Sequence, residues 1–66
     1  MKLNDKIIEL WSVSRTALAT SNQSRWDRMQ YVKNWLTKNE PVLIAGISPK
    51  QLWFKIEDAI SHNPIN

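Results

Sequence analysis

The stretch from Gly46 to Ile60 constrains the fold more than any other part of the chain, because all of its local signals indicate one helix. Ser48 can cap a helix, Pro49 suits the first helical position, and Gln51 completes a capping box. Apolar residues then recur at helical spacing, namely Leu52, Trp53, Ile56, Ala59 and Ile60. We therefore predict a helix over residues 49–62, ended by the Asn-Pro pair that follows it.

An amphipathic pattern near the N-terminus predicts a first helix over residues 4–20. Asp5 and Glu9 lie early in it, where the helix dipole favours negative charge. One face collects apolar residues and one serine at spacings of three and four, namely Leu3, Ile7, Leu10, Trp11, Ser14 and Leu18. The opposite face is polar, so this helix should pack on one side only. The polar run over residues 19–22 then predicts a turn.

A second helix is expected over residues 23–38, with Ser21, Asn22, or Ser24 followed by Asp27 as its cap. The stripe predicted to face the core consists of Trp26, Met29, Val32 and Leu36. One edge beside that stripe carries three further residues at helical spacing, namely Arg28, Tyr31 and Trp35. The helix should end before the proline at position 41, because the residue preceding a proline avoids helical geometry.

The apolar run over residues 40–47 fits a short strand, a buried connector or a single helical turn. No other strand-like run exists with which it could form a sheet within the chain. We interpret it as an apolar connector that lies across the helices, with Gly46 supplying a bend. The alternative is a strand exposed at an edge, which could pair with a second copy of the chain.

These patterns predict an all-α fold, a single domain of three helices with an apolar connector between the second and the third. The chain has 66 residues and no cysteine, so its stability must come from packing, to which four tryptophans can contribute. The expected core is Leu3, Ile7, Leu10, Trp11, Leu18, Trp26, Met29, Val32, Leu36, Leu52, Trp53, Ile56 and Ile60. Formation of a homodimer would be a simple way to supplement so small a core.

Catalysis is the function class that the sequence disfavours most. The single histidine, His62, falls in the last turn of the last predicted helix, where a cation suits the helix dipole. The single glycine excludes a phosphate-binding loop, and the absence of cysteine excludes thiolate metal sites. We expect neither enzymatic activity nor a metal or cofactor. No apolar run is long enough to span a membrane and no leader is evident, so we expect a complete, cytoplasmic protein.

A protein-binding surface is the first functional hypothesis. Arg28, Tyr31 and Trp35 are the residue types that dominate interface hot spots, and Phe54 is expected on the exposed side of the third helix. Two structural alternatives compete with this hypothesis. Arg28 could stack on the Tyr31 or Trp35 ring and close the edge of the core. The connector could also fold over Phe54 and bury it.

A DNA-binding surface is the rival hypothesis. Ala45-Gly46-Ile47-Ser48, followed by Leu52 and Ile56, resembles the turn and recognition helix of repressor-type helix-turn-helix domains. The resemblance implies that a groove-reading helix begins at Pro49 and presents Lys50, Gln51, Phe54 and Lys55 to DNA. It departs from the pattern over residues 38–45, where the motif needs a helix and the chain has a proline. A separate short helix capped by Thr37 and Glu40 could supply it and would make the domain four-helical.

We favour a small, non-enzymatic regulatory or adaptor protein that binds another protein, with DNA as the alternative target. The net charge of +3 and the isoelectric point near 9.6 suit either an acidic protein or a nucleic acid. A role at a membrane surface is disfavoured, because the polar helix faces carry acidic residues as often as basic ones. The small size would suit a regulator from a phage or a mobile element.

Overall fold

A computed structural model describes residues 2–62, with the backbone alone for Lys2 and Asn22. It consists of helix α1 (Lys2–Ala17), a 3-10 turn (Thr20–Asn22), helix α2 (Arg25–Asn39) and helix α3 (Pro49–His62). No strand occurs within this part of the chain. The predicted all-α class with three helices is therefore confirmed, whereas the expected end of α3 at the Asn-Pro pair lies outside the described residues.

The starts of α2 and α3 are fixed by side-chain caps, which are Ser24, one of three alternatives for α2, and Ser48, as predicted for α3. Ser24 caps α2, because its Oγ accepts the N–H of Asp27 at 3.1 Å and its hydroxyl donates to Asp27 Oδ2 at 2.8 Å. At α3, Ser48 Oγ accepts the N–H of Gln51 at 3.2 Å, and the N–H of Ser48 donates to Gln51 Oε1 at 3.4 Å. The cap at Ser24 satisfies one backbone donor that a helix start leaves unpaired, and the capping box at Ser48 satisfies the N–H of Gln51 and that of Ser48 itself.

Helix α1 ends three residues earlier than the predicted boundary of residue 20. The side-chain amide of Gln23 donates to the carbonyls of Arg15 and Leu18, two acceptors that the end of a helix leaves free. The polar segment therefore does not extend α1 but folds back to close it, and the residues over 20–22 form the 3-10 turn.

Eleven hydrophobic side chains from the three helices form the core, namely Leu3, Ile7, Leu10, Trp11, Met29, Val32, Leu36, Leu52, Ile56, Ala59 and Ile60. Of the expected core residues, Leu18 and Trp53 are half-buried, and Trp26 is wrong, with 59% of its surface exposed. The error at Trp26 has a geometric reason. Two successive steps of three residues, from Val32 to Met29 to Trp26, rotate the side chain by about 120° around the helix axis and away from the core.

The connector over residues 40–48 is a series of turns. The N–H groups of Leu43, Ala45 and Ile47 each donate to the carbonyl three residues earlier, at 3.0–3.2 Å. Leu43, Ile44 and Ile47 pack against the core, whereas Val42 is 86% exposed. Gly46 supplies the bend with a φ of +83°, a backbone conformation that glycine adopts without strain. The connector is therefore neither an edge strand nor a fourth helix.

The helices contact one another pairwise around the core. Lys6 of α1 lies beside Trp35 of α2, and Ser14 of α1 lies beside Arg28, so α1 and α2 run in opposite directions. Arg25 at the start of α2 bonds Ser61 at the end of α3, so α2 and α3 are also antiparallel. This arrangement gives α2 two different edges, one toward α1 and one toward α3.

Candidate binding surfaces

The guanidinium of Arg28 contacts other residues of the same chain. Its Cζ lies 3.9 Å from the ring centroid of Trp11, its Nε donates to Ser14 Oγ at 2.7 Å, and its Nη2 donates to the Trp11 carbonyl at 2.6 Å. Ser14 is fully buried and donates its own proton to the same carbonyl at 2.6 Å. The stacking partner is thus Trp11, rather than Tyr31 or Trp35 as the sequence suggested.

Burial, and secondarily the charge of Arg15, lowers the pKa of Arg28 below its ordinary value. A guanidinium nevertheless keeps its proton at any pH near neutral, so Arg28 remains a charged donor. Two of its donors point into α1 and its flat face covers an indole ring. The arrangement lets Arg28 hold α2 against α1 with two of its five N–H donors and the face of its guanidinium.

Tyr31 and Trp35 lie on the same edge of α2, half-buried against the core. The ammonium group of Lys6 sits 5.1 Å from the Trp35 ring centroid. Both aromatic residues line an open groove of about 600 Å³ along α2. The groove, which we call the α2 groove, is lined by Leu18, Asp27, Gln30, Tyr31, Asn34, Trp35, Lys38 and Asn39.

Phe54 is 56% exposed, as predicted, and lies on another side of the molecule. Helix geometry places it about 160° around the α3 axis from Ile56, which is fully buried. It lines a second open hollow, together with Lys55, Glu57, Asp58 and Ser61, that shares no residue with the α2 groove. The structure therefore does not bring Phe54 together with Tyr31 and Trp35, and the connector does not cover it.

The residues of the DNA hypothesis are all exposed on α3, namely Lys50, Gln51, Phe54 and Lys55. They share the outer face of the helix with two carboxylates, Glu57 and Asp58. The separate helix that the motif requires over residues 38–45 is not formed, because α2 continues to Asn39 and the chain makes turns over residues 41–46. The nine residues from 40 to 48 that join α2 to α3 also exceed the three or four of a helix-turn-helix turn.

Trp26 is the surface residue that the sequence missed. Its ring centroid lies 6.2 Å from that of the half-buried Trp53, with the ring planes tilted by 51°. Next to it, Arg25 Nη2 donates to Ser61 Oγ at 3.3 Å. The three-residue spacing from Trp26 to Met29 to Val32 was the signal that could have placed Trp26 on the α3 edge of α2.

Two further site classes receive no support from residues 2–62. His62 Nδ1 lies 3.2 Å from Asp58 Oδ1, but no group of three or more acidic or histidine side chains in this range is arranged to hold a metal ion. In the same range, no helix combines the length and apolarity needed to cross a membrane.

No family model, no curated protein and no solved structure matches this chain. Function has to be inferred from the chemistry of its own surfaces. Of these, the α2 groove combines two of the residues predicted for protein binding in one concave site.

Proposed function

We propose that this chain is a small regulatory or adaptor protein that binds another protein, and that the α2 groove is its main binding surface. The observation that carries this proposal is the pair Tyr31 and Trp35, which line one open groove from adjacent turns of α2. Tyrosine and tryptophan supply large contact areas with few rotatable bonds, which is why they dominate interface hot spots. The proposed mode of action is occupation of a partner's surface, without chemistry.

The remaining lining of the α2 groove suits a polypeptide. Gln30 and Asn34 carry amides, which can both donate to and accept from a peptide backbone. Asp27 and Lys38 lie at opposite ends, about 16 Å apart along the helix axis at about 1.5 Å per residue. About five residues of an extended segment span that length. The balanced charge of the groove favours a protein segment over a polyanion.

Arg28 and Phe54 were predicted to bind the partner together with Tyr31 and Trp35, but this proposal gives them other roles. Arg28 supports the α2 groove by holding α2 on α1, through its bonds to Ser14 and to the Trp11 carbonyl. Phe54 lies outside the groove, so it is a separate contact point for a partner that also reaches α3.

The test identifies the partner by photo-cross-linking from within the groove. Benzoylphenylalanine replaces Asn34, which is exposed beside Tyr31 and Trp35, in cells that produce the protein. The matched control carries the same group at Ser12, an exposed position on α1 outside the groove. We expect a protein that cross-links from position 34 and not from position 12.

The purified partner is then titrated against the wild type, Trp35→Ala and Phe54→Ala by calorimetry. Loss of a hot-spot aromatic costs about 2 kcal/mol or more of binding free energy, so Trp35→Ala should weaken binding at least about 30-fold. Circular dichroism of each variant establishes that it is folded. Unchanged affinity of a folded Trp35→Ala variant, or equal cross-linking from both positions, would remove the α2 groove from consideration.

The alternative function is that of a DNA-binding regulator that uses the exposed face of α3. It is favoured by the capping box at Ser48 and Gln51, which presents Lys50 and Lys55 on a well-formed helix. Titration of a labelled mixed-sequence duplex at low and at physiological salt tests it. Under this alternative, Lys55→Ala should weaken binding and lower the salt slope by about one unit, the contribution of one phosphate contact. No binding at low salt would reject it.

A further inference from the structure

The two tryptophans between α2 and α3 are not used by the α2 groove. Trp26 is 59% exposed, although its indole lies 6.2 Å from that of Trp53. The ring planes meet at 51°, so Trp53 does not cover the face of Trp26 by parallel stacking. A large aromatic face is therefore open to solvent in a chain whose core is already filled by other side chains.

Helix register places three cations on the edges of α2 and α3 that carry this pair. Arg25 precedes Trp26 and is held on the α3 side by its bond to Ser61. Lys33 lies seven residues after Trp26, about 20° around the helix axis, and therefore on the same edge of α2. Lys50 lies one turn before Trp53 on α3, and the antiparallel order of the helices places it about one turn beyond the level of Lys33. Glu57, one turn after Trp53, is the acidic residue on this part of α3.

The ligand that fits this surface is anionic and carries flat apolar groups. We propose that the tryptophan seam, formed by Trp26, Trp53, Arg25, Lys33 and Lys50, binds single-stranded nucleic acid. Bases stack on the indole rings, and phosphates pair with the three cations. A duplex keeps its base faces stacked inside, and an acidic peptide carries a flat ring only at its aromatic residues, whereas a single strand offers one beside every phosphate. The seam shares no residue with the α2 groove, so this site does not depend on the proposed protein partner.

The test is fluorescence anisotropy of a labelled twelve-nucleotide oligothymidylate with the full chain, from low to physiological salt. Stacking of one base on an aromatic ring contributes about 1–3 kcal/mol, so Trp26→Ala should weaken binding at least about fivefold. Val42→Ala is the control, because it shortens an apolar side chain that is still more exposed, 86% against 59%, outside every surface described above, and it should leave binding unchanged.

The salt dependence tests the cations separately. Three phosphate contacts on a single strand predict a slope of log affinity against log salt near about −2, at roughly −0.7 per contact. Lys33→Gln should reduce that slope by about 0.7 unit, whereas Arg15→Gln, which removes an exposed cation of α1 outside the seam, should not change it.

Three results would overturn the proposal. The first is the absence of binding at low salt, and the second is unchanged affinity of Trp26→Ala with circular dichroism like that of the wild type. The third is that polyglutamate, at an equal concentration of negative charge, competes as strongly as the oligonucleotide itself. That result would show that charge alone drives binding. None of these results affects the cross-linking experiment at position 34, so failure of the seam and failure of the α2 groove can be told apart.

Discussion

Arg28 shows how one side chain can stabilise a fold through stacking and hydrogen bonds at once. Its guanidinium stacks on the Trp11 ring. Its Nε donates to the Oγ of the fully buried Ser14, and its Nη2 donates to the backbone carbonyl of Trp11 within α1. A lysine has no planar group to stack and no fork of donors, so it cannot make these three contacts at once. The residue is therefore better understood as a link between α1 and α2 than as a free contact for a partner.

Removal of this link should lower stability. We expect Arg28→Ala to reduce the free energy of unfolding by about 2–3 kcal/mol, because it removes charge-assisted hydrogen bonds and a cation–π contact. Arg25→Ala, which loses one exposed bond to Ser61, is the control and should cost about 0.5 kcal/mol or less. Urea unfolding measures both values. Equal effects of the two substitutions would contradict the role assigned to Arg28.

At the scale of elements, the helices are set by local signals and the connector by packing. The cap at Ser24 and the capping box at Ser48 decide where α2 and α3 begin, through bonds within three residues. The connector has no such repeating pattern. It is held because Leu43, Ile44 and Ile47 pack on the core, and because Gly46 can reverse the chain at a φ of +83°.

The bend at Gly46 should resist substitution for a reason of backbone conformation alone. A Cβ added there meets no atom within 4 Å, so the cost of Gly46→Ala comes from the positive φ and not from a clash. We expect a loss of about 1–2 kcal/mol in the free energy of unfolding. Gly46→Asn should cost less, because asparagine tolerates the left-handed region better than alanine. Thermal unfolding of the two variants compares them directly, and the opposite order would contradict this account.

For the whole molecule, all three helices depend on one core. Each helix contributes buried side chains, so detachment of one helix would expose the core-facing side chains of the other two. At the usual 0.05–0.15 kcal/mol per residue, a chain of this length has a free energy of unfolding of roughly 3–10 kcal/mol. One substitution in the core can therefore remove most of that free energy of unfolding.

Ile56 is the sharpest place to test this dependence, because it is fully buried and contributed by the last helix. We expect Ile56→Ala to cost about 2–5 kcal/mol. The loss should appear as a single transition by circular dichroism and by tryptophan fluorescence, since the helices share one core. Glu57→Ala, its exposed neighbour, is the control. Separate transitions by the two probes would show that α3 unfolds independently of the other helices.

The homodimer suggested by the small size remains a proposal at this scale. It predicts a mass of twice the chain mass of 7.7 kDa by light scattering. It also predicts an unfolding midpoint that rises with protein concentration, because association stabilises the folded state. A single-chain mass and a constant midpoint would reject it.

The sequence by itself determined the helices and most of the core. Capping boxes and the period of 3.6 residues act over one or two turns, so they can be recognised without knowledge of distant contacts. This locality is why α2 and α3 begin within two residues of the predicted positions, and why Met29, Val32 and Leu36 were placed correctly. The end of α1 was less accurate, because the bonds from Gln23 that close it come from beyond the helix.

Only the tertiary structure decided what happens at the edges of the helices. Periodicity gives the angle of a side chain around its own axis, but the neighbouring helix decides whether that edge is covered. Trp26 lies at the edge of its stripe and stays exposed, and Arg28 reaches the ring of Trp11 on another helix. Tyr31, Trp35 and Phe54 are likewise separated onto two surfaces by the way the helices pack. The candidate sites lie at these edges, where contacts between helices outweigh local pattern.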